Sequence, residues 1–120
     1  MNDKEALLLP GVHVAPNIQA NPDIYEIENC AADPDGLIEA AMAAISPWEG
    51  KVVLDLGAGT GFHLARFHNE AAHVIAVEPH DPSRLRAMQR VAAMGLARTS
   101  VMTGSAERIL LPDHSVDIVH

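Results

Sequence analysis

Asp55-Leu56-Gly57-Ala58-Gly59-Thr60-Gly61 puts a carboxylate and three glycines at alternate positions, immediately after the apolar run Val52-Val53-Leu54. Backbone without Cβ atoms turns sharply and lets a ligand rest on its amides. Glu78 follows 21 positions after Gly57 and closes a second apolar run that begins at Ala72. Open parallel sheets bind ligands outside the carboxyl ends of their strands, and a carboxylate there can accept two hydrogen bonds from ribose hydroxyls. The chemistry these residues allow is recognition of a nucleoside-bearing cofactor.

Spacing narrows the choice. The dinucleotide fingerprint needs a glycine or alanine at its last place so that helix and strand come close. That place is Phe62 counted from Gly57 and Leu64 counted from Gly59, which disfavours a nicotinamide oxidoreductase. A phosphate-cradling P-loop requires Gly-Lys and then Ser or Thr, whereas Gly61 is followed by Phe62-His63. No pair of histidines has H-E-x-x-H or Cys/His ligand spacing, so a metal site is not expected.

The elements that must hold these residues follow from periodicity. Val52 to Leu56 reads as a strand covered on both faces, as in a parallel sheet flanked by helices. Phe62 to Asn69 reads as a short helix, Ala72 to Glu78 as a second strand and Thr99 to Thr103 as a third. Asp81-Pro82-Ser83 opens a helix with Leu85, Met88, Val91 and Ala92 on one face, Arg84, Arg86 and Arg90 on a solvated one, and Gly95 past its end. Upstream, Leu37, Ile38, Ala41, Met42 and Ile45 recur with helical spacing, with Asp33 as the cap and Pro34 in the first turn. Ser46 to Lys51 is a turn. Asp23 to Asn29 alternates apolar and acidic residues, which suggests a short strand or extended arm whose Tyr25 either covers the pocket or anchors the arm. Residues 1 to 30 are expected to form an irregular arm and residues 31 to 120 a domain.

Composition sets outer bounds. The chain has 120 residues, 48% of them hydrophobic, with one Trp, one Tyr and two Phe, so its core is aliphatic. No apolar run approaches the roughly 18 residues of a membrane span. A lone Cys30 suits a reducing cytoplasm and is expected to be a buried, inert thiol. The net charge of −8 falls within residues 1 to 50, which carry nine carboxylates and only Lys4. Residues 51 to 120 balance. With no basic cluster to follow a phosphate backbone, nucleic acid is a poor partner, and a small molecule is preferred.

Two further stretches complete a pattern. Gly104-Ser105-Ala106-Glu107 follows the third strand, and Leu110-Leu111-Pro112-Asp113-His114-Ser115-Val116-Asp117-Ile118-Val119 leads into a fourth from Val116 to His120. Together with the glycine trio and Glu78, they resemble class I S-adenosylmethionine-dependent methyltransferases of the small-molecule, quinone-biosynthesis type, over about residues 50 to 120. The family commonly has Gly-Asp-Ala-Glu after strand three and Leu-Pro-Phe-Pro-Asp-x-Ser-Phe-Asp before strand four. Ser105 and Val116 depart from those patterns.

The resemblance implies an α/β fold, a Rossmann-like doubly wound parallel sheet of strand order 3-2-1-4-5-7-6 with the last strand antiparallel. Sequence is present for the first four strands, so the chain is expected to be the cofactor-binding half, truncated after strand four, with that strand at an edge. It implies S-adenosyl-L-methionine held by Asp55, Gly57, Ala58, Gly59, Thr60, Gly61, Glu78 and Pro79. Adenine would lie by Ser105 and Ala106, where Ser105 either meets the ring or caps the turn, and His120 would line the junction with the acceptor. No catalytic base is assigned. A noncatalytic cofactor-binding module is the competing expectation.

Overall fold

The computed structural model of the chain describes residues 20–120. The expected irregular character of residues 1 to 19 lies outside them. Four strands assemble in the order β3-β2-β1-β4, all parallel: β1 (Val52–Leu56), β2 (His73–Val77), β3 (Thr99–Met102) and β4 (Ile118–Val119). β1 and β2 are the two inner strands and each buries three of its five residues, Val53, Leu54 and Asp55 on β1 and Val74, Ala76 and Val77 on β2. β2 aligns with β1 residue for residue from Val52 opposite His73 to Leu56 opposite Val77, so both strands end at the same level. β4 is short, but Asp117 N–H to Val52 O at 2.9 Å and His120 N–H to Leu54 O at 2.8 Å continue its pairing on either side. As expected, it forms one edge of the described sheet.

Helices α1 (Pro22–Ala32), α2 (Leu37–Ile45), α3 (Leu64–His68) and α4 (Asp81–Met94) complete the layers. The core joins Trp48, Val53, Leu64, Phe67, Val74, Ala76, Ala87 and Leu96. Trp48 meets Phe67 edge-on with ring centroids 5.3 Å apart, a geometry favoured by the ring quadrupoles. This is the α/β Rossmann-like architecture that the family resemblance implies, and the parallel sheet flanked by helices that the strand patterns suggest.

Several local expectations need correction. Residues 23 to 29 are not a strand or extended arm: Pro22 opens α1, Asp23 lies in its first turn, and Tyr25 N–H bonds back to Asn21 O at 3.0 Å. The alternation of acids and isoleucines belongs to a helix that buries no residue at all, so Ile24 and Ile27 stay exposed. Cys30, on the same helix, is likewise exposed rather than buried.

α2 starts at Leu37 rather than at Pro34, because Gly36 takes a left-handed φ of +70° and separates the turn from the helix. Asp33 still caps it from a distance, its carboxylate accepting the Ile38 and Glu39 N–H groups at 3.2 and 3.1 Å. Only Met42 and Ala43 of α2 reach the core. On α4 the buried residues are Ser83 and Ala87, while Leu85 and Met88 face outward. The small residues are inside because that face packs against the turn after β1. Gly95, at φ +62°, ends α4 as expected.

Candidate functional site

The turn after β1 folds back across the end of β2. Gly57 and Ala58 both donate to Val77 O, at 2.8 and 3.0 Å. Gly57 has a φ of +74°, and a Cβ built on it would meet nothing within 4 Å. Its Cα therefore borders open space on the side where a side chain would stand, as a ligand platform requires. Gly61 serves a different end: a Cβ there would lie 2.9 Å from Leu64 Cδ1 and 3.1 Å from Ala87 Cβ. It is the contact that lets α4 approach the start of α3.

Glu78 continues β2 by one residue, its N–H bonding to Met102 O at 3.1 Å. Its carboxylate turns inward, Oε1 accepting the Gly59 N–H at 2.9 Å and Oε2 the His80 N–H at 2.7 Å. Burial pushes this carboxyl up from its ordinary value, and the two backbone donors and Arg84 only partly offset that. Pro79 completes the turn between these bonds.

Asp55 lies one strand over and is 4% exposed. Its Oδ1 is 3.4 Å from His120 Nδ1, and its buried Oδ2 has no hydrogen-bond partner. Burial raises its pKa, against the opposing pull of His120 and His63. His63 is half-buried, its ring 6.0 Å from that of His120. Burial and then the Arg66 charge depress its pKa.

Beyond β3, Ser105 is buried and exchanges two backbone hydrogen bonds with Arg108, N–H to O at 3.1 and 3.0 Å, while Ala106 is exposed. The preceding Gly104 fits tightly, since a Cβ there would sit 2.8 Å from Val77 Cγ1. The Ser105-Ala106 turn is thus packed beside the end of β2.

α1 lies over this ground. The Tyr25 ring is 3.5 Å from where a Gly59 Cβ would be. Thr60, fully buried, donates its hydroxyl to the Glu26 carboxylate. Arg90 reaches Glu26 at 2.8 Å and Arg86 reaches Asp23 at 3.0 Å. The Arg90 guanidinium also sits 5.7 Å over the Phe62 ring. The arginines of α4 are therefore not a solvated face: Arg86 and Arg90 fasten α1, and Arg84 donates to Glu78 O at 3.0 Å. For Glu26, burial raises the pKa, but the hydrogen bonds of Arg90 and Thr60 outweigh it and hold the group below its usual range.

Of the residues singled out in the sequence, Asp55, Gly57, Ala58, Gly59, Glu78, Pro79 and His120 converge at the ends of β1, β2 and β4. Ser105 and Ala106 lie past β3, and Thr60 and Gly61 are occupied by α1 and α4. Sequence reasoning passed over Glu26, Arg90 and His63. A signal existed for the first two: Asp23 and Glu26 are three apart and Arg86 and Arg90 four apart, each pair on one helix face. Among the described residues no group of three or more His, Cys, Asp or Glu is placed to hold a metal, and no helix is long and apolar enough to cross a membrane.

Comparison with known proteins agrees with this geometry. Residues 53–120 match a family described as the methyltransferase domain. An uncharacterized methyltransferase of Mycobacterium tuberculosis is 40% identical over 73 residues, covering 61% of this chain and 28% of that protein. The chain thus spans about 28% of the length of the curated relatives it matches. A SAM-dependent methyltransferase from Aquifex aeolicus superposes with a TM-score of 0.64 at 28% identity, covering 68% of this chain and 45% of that one. Phosphoethanolamine N-methyltransferase 1 of Haemonchus contortus, solved with phosphoethanolamine and S-adenosylhomocysteine, gives 0.57 at 25% identity over 66% of this chain and 16% of that one. With the parallel sheet, the glycine turn and the acid closing β2 in place, the chain belongs to the methyltransferase domain family, of the class I, S-adenosylmethionine-dependent type.

Proposed function

We infer that residues 31 to 120 supply the cofactor-binding half of an enzyme that moves a methyl group from S-adenosyl-L-methionine to a small-molecule acceptor. The observation that carries this reading is the Glu78 to Gly59 hydrogen bond, which sets an acid beside a glycine turn whose Gly57 borders open space. The residues fit the group. Asp55 offers an unpaired buried oxygen suited to a cationic amino group, and each Glu78 oxygen, having accepted one backbone bond, keeps acceptor capacity for a ribose hydroxyl.

When bound, the cofactor supplies an electrophilic methyl on a sulfonium, which leaves as a neutral thioether. The chain's work is alignment and exclusion of water, which in ideal geometry is worth up to about 7–11 kcal/mol. Gly57, Ala58 and Gly59 form the floor, Glu78 and Pro79 the sugar edge, and Ser105 and Ala106 the base edge. Thr60 and Gly61 hold the turn to α1 and α4. Tyr25 excludes water above Gly59. The small acceptor and a cytoplasmic setting rest on the charge pattern and the lone Cys30. α1 extends the proposed domain towards the N-terminus, since its ties run to Thr60, Arg86 and Arg90.

Calorimetric titration with S-adenosylhomocysteine and NAD side by side tests the reading. Binding of the former alone is expected. Binding of NAD instead, or of neither, overturns it. The competing reading is a noncatalytic cofactor-binding module. Binding without release of label from methyl-labelled cofactor, across phenol and amine acceptors, would select it.

A further inference from the structure

The sheet places His120 beside Asp55 with little freedom. His120 N–H bonds to Leu54 O at 2.8 Å and Leu56 N–H bonds to His120 O at 3.0 Å, so its backbone brackets Asp55 on the neighbouring strand. The imidazole packs on Phe67 with ring centroids 4.9 Å apart, which limits how it can turn. Its Nδ1 lies 3.4 Å from Asp55 Oδ1. A carboxylate oxygen only accepts, so the tautomer that fits carries its hydrogen on Nδ1.

We propose that His120 is a positioning residue for the ammonium end of the cofactor: by donating to Oδ1 it keeps Asp55 ionised and oriented, leaving Oδ2 as the acceptor for that ammonium. This rests on the cofactor reading above. Leaving one oxygen of a buried carboxylate without a partner is costly, and a cationic ligand group removes that cost. Without the Nδ1 donor, the burial that already raises the Asp55 pKa would favour the protonated acid, and a neutral acid holds an ammonium poorly.

The other charged and titratable groups around Asp55 do not substitute for this contact. Glu78, at the end of β2, is itself a carboxylate whose pKa the Asp55 charge helps to raise, so it offers Asp55 no hydrogen-bond donor. His63, in the turn before α3, lowers the Asp55 pKa through its charge, but its own pKa is depressed and that charge is absent at neutral pH. Arg66 on α3 is paired with Glu39 of α2 at 2.8 Å. His120, directly after β4, supplies the hydrogen bond.

The test compares two probes. S-adenosylhomocysteine carries the ammonium, whereas 5′-methylthioadenosine keeps the nucleoside thioether and lacks it. Calorimetry is run on the full chain, on His120→Phe, which removes the donor, and on His120→Asn, whose amide replaces it. The phenylalanine variant should lose about tenfold in affinity for S-adenosylhomocysteine, as for a lost hydrogen bond to a charged group, with methylthioadenosine changed by no more than about twofold. The asparagine variant should recover most of the loss. Equal losses for both probes would show a merely structural role, and no loss would show no role; either overturns the proposal. If His120→Phe does not fold, carbon-13 titration of the Asp55 carboxyl in the unsubstituted chain decides. Its midpoint should fall on adding S-adenosylhomocysteine but not methylthioadenosine, and an indifferent midpoint overturns the inference. A chain that binds neither probe instead overturns the cofactor reading itself.

Discussion

Gly59 donates its backbone N–H to Glu78 Oε1 at 2.9 Å, so the acid closing β2 is fastened to the turn that follows β1. One side chain thereby joins the two halves of the proposed cofactor site: it shapes the glycine turn and presents the remaining acceptor capacity to a sugar. The carboxylate is 7% exposed, and its second oxygen is held by the His80 N–H. Removing the side chain and removing only its charge should therefore have different consequences.

Glu78→Ala leaves two backbone N–H groups without their acceptor in a buried place, a loss of about 1–3 kcal/mol per unsatisfied group. A clear fall in the urea midpoint is expected. Glu78→Gln retains an oxygen for one of those donors and should cost less stability. It should still weaken S-adenosylhomocysteine by about tenfold, because charge-assisted hydrogen bonds are roughly twice as strong as neutral ones. Equal binding by the glutamine variant and the wild type would show that Glu78 does not hold the ribose.

The glycines of the turn should separate into binding and packing positions. Gly57→Ala meets no atom within 4 Å and suffers only a left-handed φ of +74°, about 1–2 kcal/mol. Gly61→Ala carries a similar φ of +78° and also drives a Cβ to 2.9 Å from Leu64, adding about 1–3 kcal/mol of overpacking. Urea unfolding should show the second variant to be the less stable. Calorimetry should show the first to be the poorer binder relative to its stability.

Arg90→Gln removes the partner of Glu26 and the cation over Phe62. α1 buries no residue of its own, so its attachment is chiefly polar. The expected outcome is local opening: amide exchange in α1 rises several-fold while global stability moves by less than about 1 kcal/mol, as for a partly exposed ion pair. Raising salt should do the same to the wild type in part. Unchanged protection in α1 would mean that its other ties, Tyr25 against Gly59, Thr60 to Glu26 and Arg86 to Asp23, hold it without Arg90.

Stability should depend on pH in opposite senses at two carboxylates. Burial raises the Asp55 pKa above its ordinary 3.8, so the folded state binds that proton more tightly than the unfolded chain. Its contribution is complete below 3.8 and is lost as pH rises through the folded value. Asp55→Asn should therefore gain stability relative to wild type as pH rises above 3.8. The Glu26 pKa lies below its ordinary 4.5, because Arg90 and Thr60 overcome its burial. That contribution is present above 4.5 and is lost as pH falls through the folded value, so Glu26→Gln should lose stability relative to wild type near neutral pH and not in acid. Chemical denaturation across this range reads both differences.

The sequence by itself determined the parts ruled by local backbone demands. Alternate glycines in a tight turn need positive φ, buried parallel strands need unbroken apolar runs, and Gly95 after α4 needs a left-handed cap. Those requirements act over a few residues, so the strands, the turn and the placing of Glu78 at a strand end were legible from one chain, whereas the strand order followed only from the family resemblance. The outer face of α4 was misread because Leu85 and Met88 satisfy helical spacing, whereas the close approach to Gly61 selects the small Ser83 and Ala87 for the inside. Tertiary structure alone decided that residues 22 to 32 form a helix over the glycine turn, that Thr60 spends its hydroxyl on Glu26, and that Asp55 meets His120. These contacts join residues 34 and 65 positions apart. They depend on where a polar side chain ends up once the sheet has closed, and neither hydrophobic period nor turn chemistry encodes that distance.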